Sequence, residues 1–314
     1  MHAHGHAVKR PERRSSLTAR QLLTKAVKVA MIDINRILCP VEFDGFSERA
    51  LRYAIQMAHW YGATIHVVHV RPPQTTGQAA TDIRAAETLK VQALVDRYKI
   101  PHVEISVELL EHAEPADAII ACADRRDVDL IVTGSHGRTG VERVWLGSVV
   151  EALLHRSGRP VLTIPSHLDP LHAGHLVDFT HALCAVDFSA ASIGALAYAL
   201  SIAEESQSQL SVLHVVETPL ESAAQKLAQL QALVPEDARD YCSIDTAVVQ
   251  GGASPQILKR ASDSHADLIV LGVHGRSAFD LAFFGSNSKD VIRHAHCPVL
   301  VVPANRRFTL RAAS

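Results

Sequence analysis

The chain has 314 residues, of which 47% are hydrophobic and 5% aromatic, so it is long enough for two domains with aliphatic cores. Its formal net charge of −2 excludes a general electrostatic attraction to nucleic acid or to anionic lipid. The five cysteines form no CxxC pair, and no apolar run approaches the roughly 20 residues of a membrane span. We therefore expect a cytoplasmic protein with no disulfide framework, no secretory leader, no membrane span and no nucleic-acid partner.

Residues 1–32 are basic and include His2, His4 and His6, and we expect them to form a flexible tail. Within this tail, residues 19–31 predict a short basic amphipathic helix. A solvated tail is the simplest interpretation. Weak contact with a membrane or nucleic acid, and metal capture by the histidines, stay open as alternatives.

Two successive stretches of the chain then show the same alternation of apolar strands and amphipathic helices. The first predicts strand 36–41, helix 47–60, strand 64–70, helix 79–98, strand 103–110, a helix opened by Pro115, strand 129–133, helix 148–155 and strand 161–164. The second predicts strand 182–186, helix 192–203, strand 209–216, a helix near 219–233, strand 243–249, a helix opened by Pro255, strand 268–271, helix 287–294 and strand 299–302.

This order predicts an α/β protein made of two tandem, doubly wound, Rossmann-like domains, each with a five-stranded parallel sheet covered on both faces. We place the first domain at 33–166 and the second at 180–306. Residues 167–179 contain one Pro, one Gly and three His without periodicity and predict a linker, and we expect residues 307–314 to form a C-terminal tail.

Both copies carry the same glycine frame after their fourth strand. The first reads Gly134-Ser135-His136-Gly137, then residues 138–146, then Gly147-Ser148, and the second reads Gly272-Val273-His274-Gly275, then residues 276–284, then Gly285-Ser286. A repeated frame with matched spacing indicates a tandem repeat with one candidate phosphate site in each copy.

The physical case for phosphate binding rests on the backbone. Ligands of doubly wound sheets bind beyond the carboxyl ends of the strands, where both frames begin. The glycines let an anion approach backbone N–H groups, and the helix that starts at Ser148 adds free N–H donors and the positive end of its dipole. Arg138 and Arg276 can add positive charge. Alternatively, the glycines only form turns and Ser148 only caps a helix.

A carboxylate follows the first strand of each copy and lies beside the same expected crevice. Glu42 occupies this position in the first copy and Asp187 in the second. Each can accept a hydrogen bond from a ribose hydroxyl or a base amino group. The alternative is an acidic residue that only stabilises a nearby helix start.

With these motifs, residues 33–165 and 180–305 resemble a tandem universal stress protein of the ATP-binding type. The resemblance implies that Val41 and Val186 flank adenine and ribose, that Glu42 and Asp187 occupy the acidic nucleotide position, and that Val70 and Val215 line the adenine pocket. It also implies a set of phosphate-binding residues in each copy: Gly134, Gly137, Gly147, Ser148 and Val149 in the first, and Gly272, Gly275, Gly285 and Ser286 in the second.

The chain departs from the family pattern at three positions. Glu42 stands where the family usually has Asp, which puts the base or ribose contacts of the first copy in doubt. Asn287 replaces a small apolar residue at the edge of the second phosphate site. Ala185 stands where the first copy has the proline before Val41.

The resemblance implies a regulatory, ATP-binding protein of the stress response, with Mg²⁺ left open. The sequence has no Walker motif, no phosphate-clamping lysine and no Asp pair for Mg²⁺, so we expect little or no hydrolysis and assign no catalytic residue and no metal ligand. One alternative is a slow ATPase or autophosphorylating enzyme that uses His136 or His274. Another is a nucleotide-free scaffold that acts through protein contacts.

The fifth strands, 161–164 and 299–302, are apolar and would lie at sheet edges that need cover. The resemblance implies that such strands pair between domains, so we expect the two copies to form a pseudo-dimer within one chain. A homodimer of chains and an unidentified regulatory protein partner are further expectations.

Overall fold

Each copy of the repeat folds as five parallel strands connected by helices. The computed structural model describes residues 32–73, 78–135, 146–166, 168, 177–218, 222–273 and 285–304. The first copy consists of β1 (Arg36–Pro40), α1 (Gly45–Tyr61), β2 (Thr64–Arg71), α2 (Gln78–Tyr98), β3 (Ile105–Glu111), α3 (Pro115–Arg125), β4 (Leu130–Gly134), α4 (Ser148–Arg156) and β5 (Val161–Ile164). The second consists of β6 (His181–Ala185), α5 (Ala190–Ser206), β7 (Gln209–Val216), α6 (Ala223–Gln231), a 3₁₀ helix (Asp237–Asp240), β8 (Ile244–Gln250), α7 (Ala253–Asp263), β9 (Leu268–Val273), α8 (Ser286–His294) and β10 (Val299–Pro303).

The strands of both copies join into one sheet. Their order across the described residues is β3-β2-β1-β4-β5-β10-β9-β6-β7-β8. Neighbours are parallel except at the centre, where β5 and β10 run antiparallel with Leu162 opposite Leu300. The predicted pairing of the two fifth strands within one chain is confirmed by this register.

Local sequence determines where the helices begin and end. Asp44 caps α1 by accepting a hydrogen bond from the Ser47 N–H, and Ser189 caps α5 by accepting one from the Ser192 N–H. The first helix ends at Gly62, whose φ of 65° is the left-handed conformation that glycine adopts without strain.

Each face of the sheet carries a core that runs through both copies. Buried residues of α1, α2, α5 and α6 form one cluster, and buried residues of α3, α4, α7 and α8 form the other. On the first face, the Tyr61 hydroxyl lies 2.9 Å from the Ser201 hydroxyl across the copies. None of the helices in the described part of the chain is long and apolar enough to cross a membrane.

The α/β fold class predicted from the sequence is confirmed, with differences at the element ends. The helix predicted near 219–233 is shorter in its described part, because Ser222 caps its start and the chain turns after Gln231. Helix α7 begins at Ala253, so Pro255 lies inside its first turn, where the missing N–H costs nothing. The 3₁₀ helix was not predicted.

The predicted tail and linker fall largely outside the described residues. Of the tail, the structure describes Ile32, which is buried. Of the predicted linker, it describes residue 168 and residues 177–179. Phe179 is buried, and its ring centroid lies 5.9 Å from that of Tyr53 and 5.5 Å from that of Trp60. This end of the segment is therefore packed into the core.

One ion pair joins the two helices that flank the central strands. Lys289 Nζ in the first turn of α8 lies 2.6 Å from Glu151 Oε1 in the first turn of α4. The hydrogen bond from Lys289 lowers the pKa of Glu151 below its ordinary value. A carboxylate with a lowered folded-state pKa stabilises the fold above the unfolded value of about 4.3, and this contribution is lost as the pH falls through the lowered value.

Charge reversal tests whether this pair stabilises the association of the copies. Glu151→Lys and Lys289→Glu each place like charges in contact and should lower the free energy of unfolding by about 0.2–1 kcal/mol, the range for exposed pairs. The double swap should recover most of the loss. Urea denaturation at pH 7 measures all four proteins, and 1 M salt should shrink the differences because it shortens the screening length to about 3 Å. A double swap as unstable as the sum of the singles would contradict the assignment.

Candidate functional site

Two equivalent crevices lie at the carboxyl ends of the strands, one in each copy. The first crevice lies where β1, β2 and β4 end, and the second lies where β6, β7 and β9 end. Their volumes are about 380 Å³ and 430 Å³, within the range of small-molecule sites. Ligands of doubly wound sheets bind at this topological switch point.

The first crevice brings together every predicted site residue of its copy that the structure describes. These residues come from four separate segments: Val41, Glu42, Val70, Gly134, Gly147, Ser148 and Val149. Gly137 and Arg138 lie outside the described residues.

The second crevice collects a smaller set of the predicted residues. Those that line it are Val186, Asp187, Val215, Gly272 and Asn287. Gly285 and Ser286 begin α8 directly before Asn287 but do not line the crevice. Gly275 and Arg276 lie outside the described residues.

A buried histidine fixes the end of the first strand in each copy. His69 Nδ1 lies 2.8 Å from the Val41 carbonyl oxygen, and His214 Nδ1 lies 2.7 Å from the Val186 carbonyl oxygen. Because a carbonyl oxygen only accepts, Nδ1 carries the hydrogen and Nε2 is left as an acceptor in the neutral ring. His214 Nε2 is shielded from solvent and has no hydrogen-bond partner within the described part of the chain.

An aromatic ring packs beside the buried histidine in each copy, and in the second copy a lysine lies over that ring. The Phe43 ring lies 4.4 Å from the His69 ring, and the Phe188 ring lies 4.6 Å from the His214 ring. The Lys226 ammonium lies 5.1 Å from the centre of the Phe188 ring, a cation–π distance. Phe188 adopts a φ of 65°, which is unusual for a bulky residue and indicates a strained position beside the site.

The two predicted carboxylates are held by matching hydrogen bonds. The Glu42 N–H donates to Ser47 Oγ at 2.7 Å, and the Asp187 N–H donates to Ser192 Oγ at 3.2 Å. Asp187 Oδ1 also accepts from the Ser189 N–H at 2.9 Å. Both acids line their crevices, and the carboxylate of Asp187 also stabilises its turn.

A helix begins at the far end of each frame with a glycine as its cap. Gly147 precedes α4 and Gly285 precedes α8, and among the described residues no side chain caps either start. The N–H groups of a first helical turn have no acceptor within the helix, and a glycine cap leaves them open. Together with the positive end of the helix dipole, such N–H groups are chemically suited to an anion such as phosphate.

The first glycines of the two frames have different surroundings. A Cβ on Gly272 would lie 2.3 Å from the backbone of Ala191 and Ser192, so β9 and the start of α5 pack too closely for any side chain. A Cβ on Gly134 would make an ordinary contact of 3.5 Å with Phe46. Gly272 is therefore required by packing, whether or not phosphate binds beside it.

Neither metal chemistry nor a reactive thiol is indicated in the described residues. They contain no cluster of His, Cys, Asp and Glu side chains suited to a metal ion. All five cysteines are buried and free. Burial raises the pKa of Cys39 and Cys184, and raises that of Cys297 to about 12, so these thiols stay protonated at neutral pH.

Sequence reasoning assigned no site role to the buried histidines, to Phe43 and Phe188, or to Ser47 and Ser192. The signal that identifies the histidines is their constant offset, since each binds a carbonyl 28 residues earlier in the chain. Arg71, which also lines the first crevice, had no signal because the second copy has Val216 at that register position.

Comparisons with a family model and with individual proteins point to the same family. The model of the Universal stress protein family matches the chain twice, over residues 33–165 and 178–303. A universal stress protein of Methanocaldococcus jannaschii is 31% identical over 141 residues, which cover 41% of this chain and 81% of that protein. One from Mycolicibacterium smegmatis is 26% identical over 297 residues, which cover 85% of this chain and 96% of that protein.

A solved structure shares the tandem fold. The crystal structure of a universal stress protein from Archaeoglobus fulgidus has a TM-score of 0.64 to this chain at 22% sequence identity. The match covers 86% of this chain and 99% of that chain. At this identity the likeness is one of fold.

The two frame glycines provide a matched pair of substitutions. Gly272→Ala should lower the free energy of unfolding by about 1–3 kcal/mol, because the new methyl group forces the α5 backbone to move. Gly134→Ala should cost less than about 1 kcal/mol, since its methyl group fits against Phe46. Urea denaturation of both variants measures the difference. Equal losses would show that the close approach at Gly272 does not limit the fold.

Proposed function

The chain belongs to the universal stress protein family, and on that premise we propose that it is a regulatory protein that binds ATP in its crevices and hydrolyses it little or not at all. The observation that carries this proposal is the pair of glycine-capped helix starts, one at the end of each frame. In both copies the first N–H groups of the helix have no side-chain cap among the described residues and lie at the topological switch point. Such a row of donors suits a polyphosphate.

Side chains in each crevice suit the remainder of the nucleotide. Val41 and Val70 in the first crevice, and Val186 and Val215 in the second, offer apolar surface to a base. Glu42 and Asp187 can accept from ribose hydroxyls. In the second crevice, the unpartnered acceptor His214 Nε2 fits the amino group of adenine.

We propose weak hydrolysis because the sequence lacks motifs that fast phosphoryl transfer requires. The sequence has no Walker motif, and no lysine stands in the frame segments where one would clamp the phosphates. Regulation is supported by the position of the helices, since α4 and α8 begin at the crevices and contact each other through Glu151 and Lys289. A phosphate that pulls on one helix start can therefore affect its partner helix.

Substitution of the cap glycines by aspartate tests phosphate binding, because it should maintain or raise stability while it weakens the affinity for ATP. A side chain at Gly285 meets open space, and Gly147 holds the corresponding position before α4. Gly147→Asp should cap α4, leave the free energy of unfolding unchanged or raise it by a few tenths of a kcal/mol, and weaken ATP binding in the first crevice at least about tenfold. The carboxylate occupies the N–H donors and repels the phosphate.

Isothermal calorimetry with ATP should show two sites in the parent protein, one in Gly147→Asp or Gly285→Asp, and none in the double variant. Gly147→Asn is the matched control, because it caps the helix without adding charge and should weaken binding less. Mass spectrometry of the denatured protein identifies any nucleotide that is carried through purification. An absence of heat with ATP in the parent protein, or unchanged affinity in the double variant, would refute the proposal.

A further inference from the structure

The two crevices differ in charge at the end of their second strand. In the first copy Arg71 pairs in register with Glu111, and at the same positions of the second copy Val216 pairs with Gln250. Arg71 lines the first crevice and Val216 lines the second. At this equivalent position the first copy therefore has a buried arginine and the second copy an apolar residue.

The guanidinium of Arg71 makes no hydrogen bond to any residue that the structure describes. The side chain is 2% exposed, and none of its three nitrogens has a hydrogen-bond partner within the described residues. Glu87 Oε2 is the nearer carboxylate oxygen, 3.4 Å from Nε, and it has no hydrogen bond either. Glu111 lies 3.9 Å from Nη1. Buried donors and acceptors that stay unsatisfied are costly, so this pair is suited to a further partner.

The neighbouring charges indicate what kind of partner fits. Glu87 also lines the first crevice, and the ion pairs of Glu87 and Glu111 involve Arg71 and Arg84, so two carboxylates balance two guanidinium groups. An additional phosphate would meet Glu87 as well as Arg71 and gain little. A neutral group that both accepts and donates hydrogen bonds matches the pair better, and a base edge is such a group.

We propose that the first crevice prefers a nucleotide with a 6-oxopurine base, guanine or hypoxanthine, over one with adenine. Arginine donates two parallel hydrogen bonds to the adjacent O6 and N7 acceptors of guanine, and a carboxylate beside it accepts from the N1–H. Each edge of adenine offers one acceptor beside an amino group, so one of the two guanidinium donors would have no acceptor. Arg71 reaches the base by rotating its side chain toward the crevice that it lines.

The second crevice has the opposite character. It lacks the arginine, and its unpartnered buried group is the acceptor His214 Nε2, which suits an amino purine. The proposal rests on nucleotide binding at the helix starts, as set out under the proposed function, and adds that side chains at the base end divide the two crevices by base.

The test measures each crevice alone. Gly285→Asp blocks the second crevice, so that binding to the first can be measured alone, and Gly147→Asp does the reverse. Calorimetry on each variant gives dissociation constants for ATP, GTP and inosine triphosphate. In the first crevice, GTP and inosine triphosphate should bind about tenfold or more tightly than ATP. Adding Arg71→Val, the residue of the second copy, should abolish this preference because GTP and inosine triphosphate lose the paired donors. Arg71→Lys keeps the positive charge but removes the two parallel guanidinium donors, so it should also reduce the preference for GTP.

Thermal unfolding of both Arg71 variants verifies that they fold, and Arg71→Lys carries the test if Arg71→Val does not. Tighter ATP than GTP binding in the first crevice, or a GTP preference unchanged by Arg71→Lys, overturns this inference while nucleotide binding itself stands. A lack of binding by all three nucleotides at either crevice refutes the proposed function instead.

Discussion

Strands β5 and β10 pair at the centre of the sheet, and this contact joins the two copies into one structure. Alone, each five-stranded sheet would end in an unpaired strand with free N–H and C=O groups. Pairing of residues 161–163 with residues 299–301 covers both edges at once and continues the cores on the two faces from one copy to the other. It also brings α4 beside α8, so the helix starts of both crevices belong to one interface.

The tandem arrangement allows contacts that two identical domains could not make. Glu151 and Lys289 occupy equivalent places in the first turns of α4 and α8. In a symmetric pair of identical domains a residue on the axis faces itself, and two glutamates or two lysines would repel. With different residues in the two copies, the same geometry produces an ion pair at 2.6 Å. Opposite charges thus favour pairing within the chain, and an association of chains has to use another surface.

The fold could be predicted from the sequence because it depends on local patterns that occur twice. Apolar strands, amphipathic helices and the glycine frames predicted the sequence of elements in each copy, the edge position of the fifth strands and the end of the sheet at which the crevices lie. What could not be predicted depends on contacts between distant segments. Gly134 and Gly272 have the same place in the frame, yet only the second meets the backbone of another helix. Likewise, an arginine at the end of a strand reads as a solvent-exposed residue until α2 places Glu87 beside it.

The ends of each crevice are under different physical constraints, and this explains how the copies can diverge. At the helix starts the donors are backbone N–H groups, so recognition of an anion requires an open cap and depends little on side-chain identity. Both copies retain that feature. At the base end the contacts come from side chains, where Arg71 and Val216 differ in charge and hydrogen-bonding capacity. Under the proposed function, a substitution there would alter which base fits without removing the anion site. Duplication followed by change at the base end would then produce two crevices that bind phosphate alike and prefer different bases.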